Sequence, residues 1–454
     1  MKKNIFLLAT IFFLLSDSMH AQHLASTPPM GWNSFDSYGV YLYEEAAFAN
    51  LQKLADEYRE FGYEYFIIDN GWFGEYKLQP GTKFSVERHA SDVNINDYGL
   101  LQPSHTYFPG GFQKLIAACH SKGLKFGLHL MRGIPRKAVQ LNTPIKGAPY
   151  HAADIADTVN ICNWCNYNYG VDMSKPGAQE FYNSLIMQMA DWGVDFIKVD
   201  DIVPFPREVE AIAKAIKQCG RDIVLSLSPG DHVRDQDLTL LRQGNTLRVT
   251  ADVWDDQHGL DNCFKAWQRW QGYARPGFWI DMDMIPFGQL QLMSPKADQY
   301  RSAKAILLSG KGTARQSELT PAQMRSFITL RALSASPLMI GGDLPTMDSY
   351  SFQLLTNKEV IAANQTGIMG KLIYEKNGIE VWKVNKDSSK SCWIGIFNRT
   401  DKKQDVSIDL SDLKIKDAGS LRFRNVWNEG KTIQWKDVKS VAGNDVIFLA
   451  ITQD

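Results

Sequence analysis

The chain has 454 residues, a formal net charge of -1, 44% hydrophobic residues and 22% charged residues. This is an ordinary globular composition with ample material for a large core. The near-neutral balance gives no electrostatic basis for binding nucleic acid or an anionic membrane.

The N-terminus has the form of a targeting segment. Lys2 and Lys3 precede an apolar run from Ile5 to Leu15, and Met19-His20-Ala21 provides a small-residue cleavage site before Gln22. The run is too short to span a bilayer, and the first hundred residues contain no cysteine for lipid attachment. Residues 1–21 are therefore expected to be a signal peptide, and the mature protein to be exported, periplasmic or secreted, with no membrane insertion.

Downstream, two stretches repeat one design. Gly62 to Asp69 and Gly193 to Asp200 each run from a glycine through a β-branched and aromatic core to an aspartate, and each follows an amphipathic segment. A glycine able to take the left-handed conformation ends a helix, a buried strand follows, and the strand delivers a carboxylate at its C-terminal end. In chain order the candidate strands are Met30 to Phe35, Tyr65 to Asp69, Lys125 to His129, Phe196 to Asp200, Ile223 to Ser228, Leu247 to Asp252, Phe278 to Asp283 and Pro337 to Gly341. Between them, Leu51, Leu54, Tyr58 and Phe61 share a helical face, as do Phe181, Leu185 and Trp192, and Thr320-Pro-Ala-Gln323 reads as a capping box. Eight strands alternating with helices predict a (β/α)8 barrel with enlarged loops over residues 22–364. A doubly wound open sheet is the competing arrangement, but no glycine-rich phosphate loop follows the first strand.

After about Asn364 the texture changes. Short alternating runs at Lys371 to Tyr374, Ile379 to Val384, Ser391 to Asn398, Gln404 to Leu410, Ser420 to Asn425 and Asp445 to Ile451 predict a C-terminal antiparallel β-sandwich over residues 365–454. Asn398-Arg-Thr400 matches a glycosylation sequon without functional weight here. Of the six cysteines, Cys162 and Cys165 form the one close pair, with neither a second such pair nor a thioredoxin-like surrounding; a structural or inert role is expected.

The ends of the predicted strands gather polar residues: Trp32, Asp69 with Asn70, His129, Lys198 with Asp200 and Asp201, Ser228, Arg248 with Asp252, and Asp281 with Asp283. Lys198 lies two residues before Asp200, so on a strand both face the same way and the ammonium keeps the carboxylate ionised. Asp252-Val-Trp-Asp-Asp256 holds three acids, one of which can be kept protonated as a general acid. Two acids in different charge states across a hydroxyl-binding pocket are what cleavage of a glycosidic bond requires. Any one strand-end aspartate taken alone is equally well a capping or ion-pair residue, and a cluster of them also suits magnesium or calcium. Lys198 and Arg248 already bring positive charge, however, and no EF-hand or zincin spacing is present. No metal and no cofactor is expected.

These residues carry a likeness. Thr27-Pro-Pro-Met-Gly-Trp-Asn-Ser34, Tyr65-Phe-Ile-Ile-Asp-Asn-Gly-Trp72, Gly123-Leu-Lys-Phe-Gly127, Phe196-Ile-Lys-Val-Asp200, Arg248-Val-Thr-Ala-Asp252, Trp279-Ile-Asp-Met-Asp-Met284 and Ser336-Pro-Leu-Met-Ile-Gly-Gly-Asp343 occur in order. The chain resembles glycoside hydrolase family 27, the α-galactosidase and α-N-acetylgalactosaminidase family, and within it a bacterial subgroup with a Met131-Arg-Gly-Ile-Pro135 loop. The resemblance implies a barrel followed by a β-sandwich and a retaining double displacement, with Asp200 as nucleophile and Asp252 as acid/base. By motif position, Trp32, Asp69, Asn70, Trp72, His129, Lys198, Ser228, Arg248 and Asp283 would line the sugar subsite. The substrate would be a glycoside or oligosaccharide ending in an α-galactosyl-type residue.

Three departures bear on the sugar. Family galactosidases usually carry an Asp-Asp pair after the second strand, one acid helping to hold the axial 4-hydroxyl and the other the 6-hydroxyl; here the pair is Asp69-Asn70. His129 replaces a tyrosine after the third strand. Ser226-Leu-Ser-Pro-Gly230 stands where galactosidases carry a glutamate-tryptophan segment reading the 2-substituent. α-N-Acetylgalactosaminides and β-L-arabinopyranosides are therefore close alternatives, the latter because L-arabinopyranose is galactose without its exocyclic carbon. A carbohydrate-binding protein that has lost catalysis is the alternative of another class, and retention of both Asp200 and Asp252 argues against it.

Overall fold

The repeated unit seen in the sequence builds the barrel. In this computed structural model, which describes residues 24–230, 232–296, 309–386, 391–413, 415 and 421–453, the expected signal peptide lies outside the described residues. Eight parallel strands form one sheet: β1 Met30–Asn33, β2 Tyr65–Ile68, β3 Lys125–Met131, β4 Phe196–Asp200, β5 Val224–Leu227, β6 Thr246–Arg248, β7 Trp279–Asp281 and β8 Leu338–Ile340. β1 to β7 pair in succession, and β1 also pairs with β8, Met30 opposite Leu338. The seam between β7 and β8 is crossed by a parallel bridge from Ile285 to Ile340, with the Ile285 N–H donating to Met339 O at 2.7 Å. The sheet thus curls into the expected (β/α)8 barrel.

The helices that position the site are α1 Glu44–Lys53, α2 Gln113–Ser121, α3 Ala178–Trp192, α4 Pro206–Gln218, α5 Gln257–Arg269, α6 Pro321–Leu333 and α7 Lys358–Gln365. The glycines that close the repeated unit are left-handed, Gly62 at φ 97° and Gly193 at φ 94°, so the chain reverses into β2 and β4 without a Cβ penalty. α6 opens with the capping box, Thr320 and Gln323 exchanging bonds at 2.8 and 3.3 Å.

Three strands expected to end on an acid, β2, β6 and β7, stop earlier than the sequence pattern suggests, and those acids leave the ladder. The Asp69 N–H turns to Ser34 Oγ at 2.9 Å. Asp283 takes φ 74° with its N–H on Asp281 Oδ1 at 2.8 Å. Asp252 lies in a loop four residues past the end of β6. Apolar patterning cannot see this, because the residues remain buried or cavity-facing after pairing ends.

The C-terminal part is a six-stranded antiparallel sheet of β9 Lys371–Lys376, β10 Ile379–Asn385, β11 Cys392–Asn398, β12 Leu421–Asn425, β13 Lys431–Ile433 and β14 Val446–Gln453, in the order β9-β10-β11-β14-β12-β13. The expected strand from Gln404 to Leu410 pairs only at Gln404–Asp405, against Ser440–Val441. Alternate residues serve two faces: Val381, Ile394 and Leu449 form the sheet's own cluster, whereas Trp382, Trp393, Phe397 and Phe448 belong to the same apolar cluster as the barrel helices. Trp267 of α5 stacks on Trp382 with ring centroids 3.7 Å apart, and Trp427 Nε1 donates to Thr329 Oγ1 of α6 at 2.9 Å. Asn398 of the sequon is buried, its amide donating to three backbone carbonyls, which is a structural use. All six cysteines are free thiols, with Cys162 and Cys165 buried.

Candidate active site

A cavity of about 620 Å³ opens at the C-terminal ends of the strands, the face at which barrels of this kind do chemistry. Asp69, Asn70, Lys198, Asp200, Arg248, Asp252 and Asp283 all line it, brought together from β2, β4, β6 and β7.

Lys198 organises one wall. Its Nζ donates to Asp69 Oδ2 at 2.9 Å and lies 3.7 Å from Asp200 Oδ2. Asp69 is further fixed by Asn33 Nδ2 at 2.7 Å and the Asn70 N–H at 2.8 Å. His129 Nε2 reaches Asp200 Oδ2 at 2.8 Å, leaving Asp200 Oδ1 buried and without a protein partner. Burial opposes ionisation of Asp200, but Lys198 and the bond from His129 outweigh it, and the carboxyl is held well below the usual range. The pKa of Asp69 is lowered too, Lys198 and His129 overcoming the burial penalty. Asp69, His129 and Asp200 offer ligand atoms within 4.8 Å of one another, a spacing open to a metal ion; the ammonium of Lys198 already provides the cation for both carboxylates.

Arg248 organises the other wall. One guanidinium nitrogen lies 3.0 Å from Asp252 Oδ1 and 3.1 Å from Asp283 Oδ1. Asp283 also accepts the Val253 N–H at 2.8 Å, tying the loop that carries Asp252 to the end of β7. The Asp252 side chain is 61% exposed at the cavity mouth. Enclosure by the surrounding protein raises its pKa, Arg248 pulls it down, and the charges of Asp283 and Asp200 push it up again, for a net rise. The other acids of its loop are otherwise committed: Asp255 pairs with Arg315, and Asp256 caps α5 through the Gly259 N–H at 2.7 Å.

The remaining expected residues stand behind the wall. Trp32 is fully buried, stacked on Phe66 at 5.0 Å with Nε1 on Gly342 O at 2.9 Å. Trp72 donates to His129 O at 2.8 Å, and His129 itself, fully buried, reaches only Asp200. Ser228 faces a polar chamber of about 30 Å³ below the cavity with Ser226, Thr246 and Asp281, and it is Pro229 that meets the cavity. Trp32, Trp72, His129 and Ser228 are thus not among the residues that line this cavity, whereas Lys198, paired in register with His129, is.

Several lining residues escaped the sequence reading. Phe35 and Trp254, with rings 6.5 Å apart, supply the aromatic wall in place of Trp32. Asp36 also lines the cavity; burial, then Asp283 and Asp252, raises its pKa well above the usual value. Its one legible signal was position, an acid just past β1 as the others follow β2, β4 and β7. Arg88, His89, Trp164 and Lys311 arrive on long excursions that strand patterning does not place.

The Met131-Arg-Gly-Ile-Pro135 segment buttresses this arrangement without lining it. The Arg132 N–H donates to Asp200 O at 2.9 Å, and its guanidinium bonds Asp201 and Glu208 at 2.9 Å each while lying over the Phe205 ring. Gly133 passes so close to Tyr169 O that a Cβ would sit 1.8 Å from it.

Comparison with known proteins gives consistent matches. A sequence profile described as Melibiase matches residues 14–218, and one described as Alpha galactosidase A matches residues 154–310. The β-L-arabinopyranosidase of glycoside hydrolase family 27 from Geobacillus stearothermophilus is 35% identical with a TM-score of 0.84, over 95% of this chain and 98% of that one. Alpha-galactosidase A of Cellvibrio japonicus is 26% identical, over 92% of this chain and 90% of that protein. Alpha-galactosidase I of Mortierella vinacea shares the fold with a TM-score of 0.68 at 19% identity, covering 95% of this chain and 98% of that one.

Proposed function

Because the chain belongs to glycoside hydrolase family 27, and is an α-galactosidase-like hydrolase of O-glycosyl bonds, we propose that Asp200 is its nucleophile, Asp252 its general acid/base, and terminal β-L-arabinopyranosides its better substrates. The observation that carries the first part is the state of Asp200: ionised by Lys198 and His129, with Oδ1 free of any protein bond. Oδ1 attacks the anomeric carbon as Asp252, whose pKa is raised by enclosure and then by Asp283 and Asp200, gives its proton to the departing oxygen. The glycosyl ester on Asp200 is then hydrolysed by water that Asp252 deprotonates, so the anomeric configuration is retained. Lys198 and Asp69 bind ring hydroxyls, and Arg248 fixes Asp252 and Asp283 in register across the ring.

Asn70 carries the choice of sugar. Its Oδ1 is buried without a partner on the cavity wall, in the place where the family's second acid holds the 6-hydroxyl. A neutral amide makes weaker bonds than a carboxylate to that hydroxyl, and L-arabinopyranose has none to hold. The Geobacillus relative at 35% identity, itself a β-L-arabinopyranosidase, supports the same choice.

The test is a panel of nitrophenyl glycosides: β-L-arabinopyranoside, α-galactoside, α-N-acetylgalactosaminide and α-glucoside, each with and without EDTA, with the anomer formed read by NMR. Arabinopyranoside cleaved fastest, with retention and indifferent to chelator, is the expected result. A faster α-galactoside overturns the choice of sugar, and inversion overturns the nucleophile.

A further inference from the structure

The excursion from β3 to α3 brings an exposed tryptophan to the mouth of the reaction cavity. Trp164 is 52% exposed yet lines the same cavity as Asp200 and Asp252. Isolated exposed apolar residues need no explanation; one on the rim of a binding cavity does. The loop that carries it is tied down on both sides of the tryptophan. Tyr167 OH accepts the Ala90 N–H at 3.1 Å, its ring meets Phe73 edge-on at 5.4 Å, and the buried Cys162 and Cys165 flank Trp164 in sequence. Arg132 holds the start of the loop at Asn160 O, 2.8 Å away.

Arg88 and His89 line the same cavity, both exposed and, among the described residues, neither engaged through its side chain in a hydrogen bond or ion pair. The Ala90 to Tyr167 bond laces their segment to the tryptophan loop. An indole lining one cavity with an unengaged guanidinium and imidazole matches a sugar ring, whose C–H face is apolar and whose rim is hydroxyl. The position matches too. Asp252 stands at the open mouth, so a leaving group protonated there extends outward across the rim. The cavity, at about 620 Å³, lies within the range that accommodates ligands larger than a single pyranose.

We propose that Trp164, Arg88 and His89 form a subsite for the sugar that departs, making this an enzyme of disaccharide or longer glycoside ends. The proposal rests on the catalytic reading above, and it names the leaving-group side that reading leaves open. The ring of the departing sugar stacks on Trp164 while Arg88 and His89 donate to its hydroxyls. This binding holds the glycosidic oxygen beneath Asp252.

The test compares two substrates with the same terminal sugar and equally poor leaving groups: the methyl glycoside and a disaccharide. Wild-type protein is expected to show a higher kcat/KM on the disaccharide. Trp164→Ala should cut that advantage about 10-fold or more, mainly through KM, while the methyl glycoside suffers far less. Trp164→Phe should restore most of it, and Arg88→Gln should lower it partially. Wild-type turnover of both substrates with no preference overturns the subsite while leaving the catalytic assignment standing; turnover of neither overturns both. Equal losses on both substrates in Trp164→Ala would assign the residue to structure. A change of oligomeric state on gel filtration, with substrate preference intact, would assign the patch to a second copy of the chain.

Discussion

His129 Nε2 lies 2.8 Å from Asp200 Oδ2 and so commits one oxygen of the carboxylate, leaving Oδ1 as the free one. A fully buried histidine that touches no other side chain in this way is a positioning residue for Asp200. Its removal has two readable effects. In His129→Ala the acid limb of the kcat/KM profile should move to higher pH, because a bond favouring the ionised carboxylate is gone. The maximal rate should fall about 10-fold or more as the free oxygen loses its orientation. A rate loss with no shift in the acid limb would assign His129 to packing alone.

Asp200→Ala should abolish turnover while the far-ultraviolet circular dichroism stays native. Asp252→Ala should cost about 10²–10⁴-fold on methyl or sugar leaving groups, yet far less on nitrophenyl glycosides, whose leaving group needs no proton. Kinetics on the paired substrates check this, and equal losses would remove Asp252 from the acid role.

If Asp200 and Asp252 act as proposed, they should also set the pH window. The Asp200 pKa is depressed, so its nucleophilic form persists into acid and is lost only as pH falls through that lowered value. Asp252 is raised, so its proton is kept above the ordinary carboxylate range and lost as pH rises through the raised value. A bell-shaped kcat/KM profile should follow, whose alkaline limb disappears in Asp252→Ala assayed on an activated aryl glycoside.

Asn70→Asp would restore the family's paired acids. The ratio of α-galactoside to β-L-arabinopyranoside kcat/KM should rise about 10-fold or more, as a charged acceptor for the 6-hydroxyl appears. An unchanged ratio would separate Asn70 from the exocyclic position.

Arg132 is buried and forks between Asp201 and Glu208. Arg132→Ala leaves Glu208 buried without its cation, and should cost about 3–5 kcal/mol in urea unfolding. Adding Glu208→Gln should recover part of that loss, which a purely steric role for Arg132 would not predict.

What the sequence made legible follows its periodicities. The barrel was readable because its strands are apolar and bounded, with β2, β3, β4 and β7 each entered through a left-handed glycine (Gly62, Gly123, Gly193 and Gly277), and the acids at 69, 200, 252 and 283 were readable as residues at or beyond strand ends. The depth of each side chain was not. Trp32 and Phe35 are three residues apart in one motif, and nothing in their chemistry says that β1 ends between them and sends the tryptophan inward. His129 stood at the end of its expected strand, but β3 continues two residues past it to Met131 and its ring is fully buried against Asp200. The sorting of Asp252, Asp255 and Asp256 was likewise invisible, since it depends on Arg315 and Lys311 sixty and fifty-five positions away.

The Trp267 to Trp382 stack crosses a boundary that composition draws sharply and packing does not. One face of the C-terminal sheet finishes the apolar cover of α5 and α6, and α6 in turn sends Arg331 to Met284 O, next to the Asp283 that holds the Asp252 loop. Cutting the chain near residue 364 would therefore not release a working barrel: it would bare Phe264, Trp267 and Leu333 to water and loosen the segment that presents the acid. The two parts should melt in one cooperative transition, so that a portion contributing no residue to the cavity lining helps set the temperature at which the enzyme stops working.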